Sequence, residues 1–123
     1  MEMITARDGV RIGVQLEGAT GSPPVLVLPG GPCRDPSYLS GLAGLPGMHP
    51  LAVFHPRGTP VTRGLSNGWW NDAADVIAVA DALGLHSLNI LAHSAGTRLA
   101  LAVAAQHPGR VRSMPSLLPR RPG

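Results

Sequence analysis

The residue best placed for covalent chemistry is Ser94, in the segment Ala92-His93-Ser94-Ala95-Gly96, where the apolar run ending at Leu91 breaks and an alanine-rich helical pattern follows at once. A serine hydroxyl attacks a carbonyl only when a base takes its proton, and a tight strand-to-helix turn holds Oγ outward where a base can reach it. Small residues must flank such an elbow. Ala92 and Gly96 do so, in a G-x-S-x-G pattern with Ala for the first Gly. A second element, Pro29-Gly30-Gly31-Pro32, follows the apolar run Val25-Leu26-Val27-Leu28. Glycine lets backbone N–H groups approach a substrate carbonyl, so the amides of Gly31 and Ala95 are expected to form an oxyanion hole. The implied chemistry is acyl transfer. The loop is not a dinucleotide fingerprint, since G-x-G-x-x-G is absent, and no cofactor is expected.

The partners such a serine needs are missing. From Ala95 to Gly123 there is no Asp or Glu, and the only His is His107. Thirteen positions of helix separate it from Ser94, about 20 Å at 1.5 Å per residue, too far for proton transfer. His93 is expected to pack within the elbow with its ring away from Oγ. His49, His55 and His86 are expected in loops or at strand starts, with no spacing that makes a metal site. Cys33 reads as a small filler beside the glycine loop, for want of a base to activate it. Trp69 and Trp70 are expected to pack at the start of a helix rather than line a pocket. Arg57-Gly58 reads as a turn in which Arg orders loop carbonyls.

The elements that must position these groups follow from periodicity. Val10, Ile12, Val14 and Leu16 alternate with polar or small residues, so a strand with one buried face is expected, and Asp8-Gly9 before it signals the turn of an antiparallel hairpin. Val25–Leu28, Leu51–Phe54 and Leu88–Leu91 are apolar almost throughout, as strands covered on both faces of a parallel sheet are. Between the last two, Ala73, Val76, Ile77, Ala80 and Leu83 fall at helical spacing, with Asp72, Asp75 and Asp81 elsewhere on the circumference and Gly84 as the stop. A helix from about Gly96 to Gln106 is apolar nearly all round and is expected to be buried. In an open α/β sheet of this kind the glycine loop and the Ser94 turn both fall at the carboxyl ends of the strands.

Beyond Val111–Met114, Pro115, Pro119 and Pro122 stand against a further central strand. The sheet is therefore expected to stop early and leave the strand ending at Leu91 with an open apolar edge, through which the chain would self-associate. Residues 1–114 read as the N-terminal part of one domain and residues 115–123 as an irregular Pro/Arg-rich tail. The abrupt change after Ser113 reads as a truncation or frameshift.

Taken together, the Gly-Gly-Pro loop, His55-Pro56-Arg57-Gly58, Asp81-Ala82-Leu83-Gly84-Leu85, the elbow and His107-Pro108-Gly109-Arg110-Val111 resemble the α/β-hydrolase superfamily, within it the proline-iminopeptidase-like branch. The resemblance covers about residues 10 to 113. It implies an incomplete α/β-hydrolase sheet, truncated after the helix that follows the elbow. It also implies Ser94 as acylated nucleophile, Gly31 and Ala95 as oxyanion hole, and small esters, amides or N-terminal peptide bonds as substrates. The chain departs from the family at Pro29 (usually His), Cys33 (usually Gly in the iminopeptidases), His55 (usually Asp) and Pro60 (usually Gly). The family's triad acid and base, which follow the nucleophile, have no counterpart, so the chain is expected to be inactive or nearly so. The rival reading is a non-catalytic binding module or a fragment that complements another chain.

Composition excludes several other classes. All ten basic residues are Arg, and the formal charge of +3 splits into five Arg against seven acids up to Ser94 and five against none afterwards. This basicity of one end, without interleaved aromatics, gives no nucleic-acid footprint. A single cysteine forms no intrachain disulfide, the N-terminus lacks the pattern of a signal peptide, and no run reaches membrane-span length. A cytoplasmic protein without a membrane partner is expected.

Overall fold

The computed structural model describes residues 1–18, 22–29, 50–62, 64–93, 96–114 and 116–117. Along the chain run β1 (Glu2–Thr5), β2 (Arg11–Glu17), β3 (Val25–Leu28), β4 (Leu51–His55), α1 (Trp69–Ala82), β5 (Leu88–His93), α2 (Gly96–Gln106), β6 (Val111–Ser113) and β7 (Ser116–Leu117). The strands form one sheet in the order β1-β2-β4-β3-β5-β6, with β7 also on β5. β1, β2 and β4 pair antiparallel, whereas β4, β3, β5 and the short last strands are parallel. This is the incomplete α/β-hydrolase sheet expected from the sequence: an antiparallel hairpin, then parallel strands joined by crossover helices.

The hairpin closes through Gly9 at φ 87°, with the Ala6 amide donating to the Val10 carbonyl. Ile12 and Val14 are fully buried, but Leu16, expected on the same buried face, is half exposed near the end of β2. β3 and β4 are covered on both faces almost throughout, as their composition implies, whereas β5 is fully buried on one face only, Asn89, Leu91 and His93 being half-buried on the other. Leu26, Leu28, Ala52, Phe54 and Ile90 pack under the helices with Val76, Val79, Leu99 and Val103. Val27, Leu51 and Val53 form a second cluster.

α1 ends at Ala82 and the chain turns away at Gly84, whose φ of 72° suits a residue without Cβ, while the Leu85 amide reaches back to the Ala80 carbonyl. Asp72 and Asp75, elsewhere on the circumference than the apolar stripe of α1, are buried all the same, because each has polar partners from other segments. One expectation about the helices is corrected. α2 buries one face only, through Leu99, Ala100, Ala102 and Val103, and leaves Leu101 exposed.

The edge expected to lie bare beside Leu91 is partly covered. β6 and β7 both pair parallel with β5, Leu88 opposite Val111 and Ala92 opposite Ser116, on either side of Pro115. The two pieces are three and two residues long, short for strands, yet both pair. Arg110 fixes the first piece: its guanidinium donates to the Leu85 and His86 carbonyls and pairs with Asp81 at 2.8 Å.

Candidate active site

The carboxyl ends of β3, β4 and β5 lie side by side. Leu28 is level with Ala92 across the parallel β3–β5 pair, and Val27 with Val53 across β3–β4. The chain leaving β3 at Pro29, the chain leaving β4 at His55 and the turn leaving β5 at His93 therefore share one edge of the sheet. Ser94 and Ala95 of that turn, and Gly30, Gly31 and Cys33 of the glycine loop, lie outside the described residues; Ala92, His93 and Gly96 lie within them. Ala92 is fully buried at the end of β5, and His93 is half-buried next to it.

Gly96, the first residue of α2, is the tightest point of this edge. A Cβ built there would stand 2.5 Å from the Leu28 carbonyl oxygen and 2.6 Å from that of Pro29. Both obstacles are backbone, which no rotamer change can move aside, so only glycine lets α2 start this close to β3. The start of α2 thus lies directly beside the chain that leaves β3, which is the approach an elbow and an oxyanion loop require.

The loop after β4 is built from side chains the sequence reading assigned otherwise. Among the described residues Arg57 orders carboxylates rather than loop carbonyls: its guanidinium is buried between two of them from distant segments. Nε and Nη2 donate to Asp75 of α1 at 2.6 and 2.9 Å, while Nη1 and Nη2 donate to Asp8 of the hairpin turn at 2.5 and 2.9 Å. The hydrogen bonds from Arg57 hold the Asp8 carboxyl at about 2, below the usual 3.8. The carboxylates of Asp75 and Asp8 in turn push the guanidinium pKa up. His55 is fully buried at the end of β4 rather than in a loop, and its carbonyl accepts from Thr62 Oγ1, which accepts from the Gly13 amide. No local sequence signal marks these pairings, since the partners lie 18 and 49 positions apart.

Trp69 and Trp70 do not pack at the start of α1 as expected; both are exposed. Asp72 sits one turn further on, accepting from Ser66 Oγ and the Asn67 amide. His107 follows the last residue of α2, whose 11 residues span about 16 Å at 1.5 Å each. It is therefore held away from the turn at the start of that helix. A cavity of about 630 Å³ opens between the hairpin turn and the two helices, bordered by Asp8, Arg57, Asn71, Asp75, Gln106 and His107. It shares no described residue with the carboxyl edge around Ala92, His93 and Gly96. Among the described residues no group of three or more His, Cys, Asp or Glu could hold a metal ion, and no helix is long and apolar enough to cross a membrane.

Comparison with known proteins fits this geometry. A family model described as alpha/beta hydrolase fold matches residues 23–122. No curated protein shows significant similarity to the chain. Among solved structures, it is similar to AqdC, described as recognising and cleaving the ring of the Pseudomonas quinolone signal, with 28% identity and a TM-score of 0.79 over 100% of this chain and 48% of that one. An alpha/beta hydrolase from Novosphingobium aromaticivorans DSM 12444 matches with 25% identity and a TM-score of 0.76, over 94% of this chain and 42% of that one. The enol-lactonase from Burkholderia xenovorans LB400 shares the fold at 20% identity and a TM-score of 0.79, over 92% of this chain and 45% of its own. The chain thus spans less than half the length of each of these structures.

Proposed function

Because the chain belongs to the alpha/beta hydrolase fold family, we propose that it carries the nucleophile half of a serine hydrolase site. Ser94 attacks a carbonyl carbon to form an acyl-enzyme, and the amides of Gly31 and Ala95 hold the oxyanion that develops. Small carboxylic esters, amides and N-terminal peptide bonds are the substrates, the last in keeping with the resemblance to proline iminopeptidases. The observation that carries this reading is the contact of Gly96 with the backbone of Leu28 and Pro29, which supports an elbow turning beside the glycine loop. The likeness to AqdC, which acts on a ring-bearing signal molecule, supports a site open to cyclic carbonyl compounds as well.

The chain on its own turns over slowly or not at all. No acid follows Asp81, and His107 stands at the far end of α2. Members of a triad act as a unit, so without base and acid only binding and the oxyanion hole remain to accelerate the reaction. A fluorophosphonate probe followed by peptide mass spectrometry tests the assignment of the nucleophile. The expected result is a slow adduct confined to the peptide containing Ser94; an adduct on other serines and not on Ser94 overturns it.

A second reading, a fragment that complements another chain, is favoured by one observation: among the described residues, β5 is covered on its far side by strands of just three and two residues. Such an edge accepts a further strand readily. Co-purification with a second polypeptide that restores Ser94-dependent hydrolysis is its expected signature.

A further inference from the structure

The exposed pair Asn67-Gly68, just before α1, sets a side-chain amide next to a backbone nitrogen that no side chain shields. A Cβ at Gly68 would meet nothing within 4 Å, and its φ of 86° is one that glycine adopts without strain. The peptide group joining the two residues is engaged at both ends. Its N–H donates to Ser66 Oγ at 3.1 Å, and the Ser66 hydroxyl donates in turn to the buried Asp72 carboxylate at 2.5 Å. Its carbonyl accepts from Asn71 Nδ2 at 3.1 Å. Among the described residues Asn67 bonds through its main chain alone, which leaves its carboxamide able to turn toward Gly68. We propose that this segment is a self-modifying site, at which Asn67 converts to aspartate and isoaspartate with water as the co-reactant.

The reaction is an acyl transfer within the chain. The Gly68 nitrogen attacks the carboxamide carbon of Asn67 and closes a succinimide ring, while its proton passes through Ser66 Oγ to the Asp72 carboxylate. The C–N bond of the carboxamide then breaks, and the nitrogen leaves as ammonia with that proton. Water opens the ring at either carbonyl, giving aspartate or, with the main chain rerouted through the side chain, isoaspartate. A backbone amide is a poor nucleophile until its proton is removed, so the groups around it decide the rate. Here a hydroxyl backed by a carboxylate takes the proton, and the Asn71 donor supports the negative charge that spreads onto the Asn67 carbonyl oxygen. The other two asparagines, Asn71 and Asn89, precede Asp72 and Ile90, whose side chains hinder the attack, and the Asp72 amide is committed to the Gly68 carbonyl. Either product puts a new carboxylate beside Asp72, and isoaspartate also lengthens the main chain between the Asn67 amide, which bonds Asp72, and that Gly68 carbonyl. The entry to α1 therefore loosens as the protein ages. Neither Ser94 nor a bound partner takes part.

The test is to incubate the purified full chain at neutral pH, folded and unfolded in urea, and to follow its peptides by chromatography and mass spectrometry. The expected result is that the peptide containing Asn67 gains the mass difference between an amide and an acid and splits into aspartyl and isoaspartyl forms, while Asn71 and Asn89 stay amides. The folded chain should convert faster than the unfolded one, because urea removes the Ser66–Asp72 relay but leaves the sequence intact. Ser66→Ala, with its fold checked by circular dichroism, should slow the folded chain on the order of a hundredfold, the low end of what a positioned base contributes. Asn71→Ala, which removes the donor to the Asn67 carbonyl, should slow it as well, to a smaller degree. Retention of the Asn67 amide for as long as those of Asn71 and Asn89 overturns the proposal. So does conversion no faster in the folded chain than in urea, or an unchanged rate in folded Ser66→Ala, either of which would reduce the reaction to the ordinary lability of the dipeptide.

Discussion

Gly96 decides the geometry of the candidate site at the level of single atoms. Since a Cβ there meets two backbone carbonyl oxygens, Gly96→Ala must push α2 away from β3, at the cost of about 1–3 kcal/mol typical of overpacking. Urea unfolding should show this as a lower midpoint with an unchanged slope, whereas Gly109→Ala, which meets nothing within 4 Å, should be nearly silent. Arg57 is the other decisive residue. Arg57→Gln leaves Asp75 buried opposite an uncharged group, a loss of about 3–5 kcal/mol for a broken buried pair, again read by urea unfolding. The exposed arm of that clamp predicts a pH dependence. The folded pKa of Asp8, about 2, lies below its ordinary 3.8, so the Asp8 contribution is fully present above pH 3.8 and is lost as the pH falls toward 2. Melting temperatures of the wild type and Asp8→Asn should differ at pH 5 and converge by pH 2; a gap that stays constant over that range contradicts the assignment.

Among the elements, those whose identity rests on periodicity were legible in the sequence. The continuously apolar strands, the hairpin at Asp8-Gly9, the stop at Gly84 and the bounds of α2 needed only local patterns. What escaped was set by partners remote in the chain. Asp72 and Asp75 fall off the apolar stripe of α1, so periodicity gives no sign of their burial, and only the fold brings Arg57 onto Asp75. Leu16 keeps the alternation of β2 yet lies half exposed near the strand's end, where the sheet's cover gives out. The strand after Pro115 escaped because a two-residue parallel piece carries no periodic signal. β6 is held in part through Arg110, whose guanidinium donates to the Leu85 and His86 carbonyls while its own carbonyl accepts from the Leu88 amide. Arg110→Ala should therefore loosen this edge by about 1 kcal/mol, roughly fivefold faster hydrogen exchange at Leu88, with Ile90 unaffected. Equal protection in both proteins would mean that β6 docks without it.

The whole molecule combines a hydrolase-family sheet with less than half the length of the solved structures it resembles. Its carboxyl edge sets the end of β5 and the start of α2 against the chain leaving β3, and the sequence brings a serine to that turn without an acid or a usable histidine after it. The proposal for Ser94 rests on a sequence motif, small residues at the fixed spacing an elbow needs, while the substrate has no such signal, because residues that shape a pocket need no fixed spacing. The central claim, a presented nucleophile without its base, is tested most directly by sustained p-nitrophenyl acetate turnover of the purified 123-residue chain against its Ser94→Ala variant. The account predicts that the two rates coincide after any slow initial acylation of Ser94. Steady turnover that disappears in Ser94→Ala would contradict it.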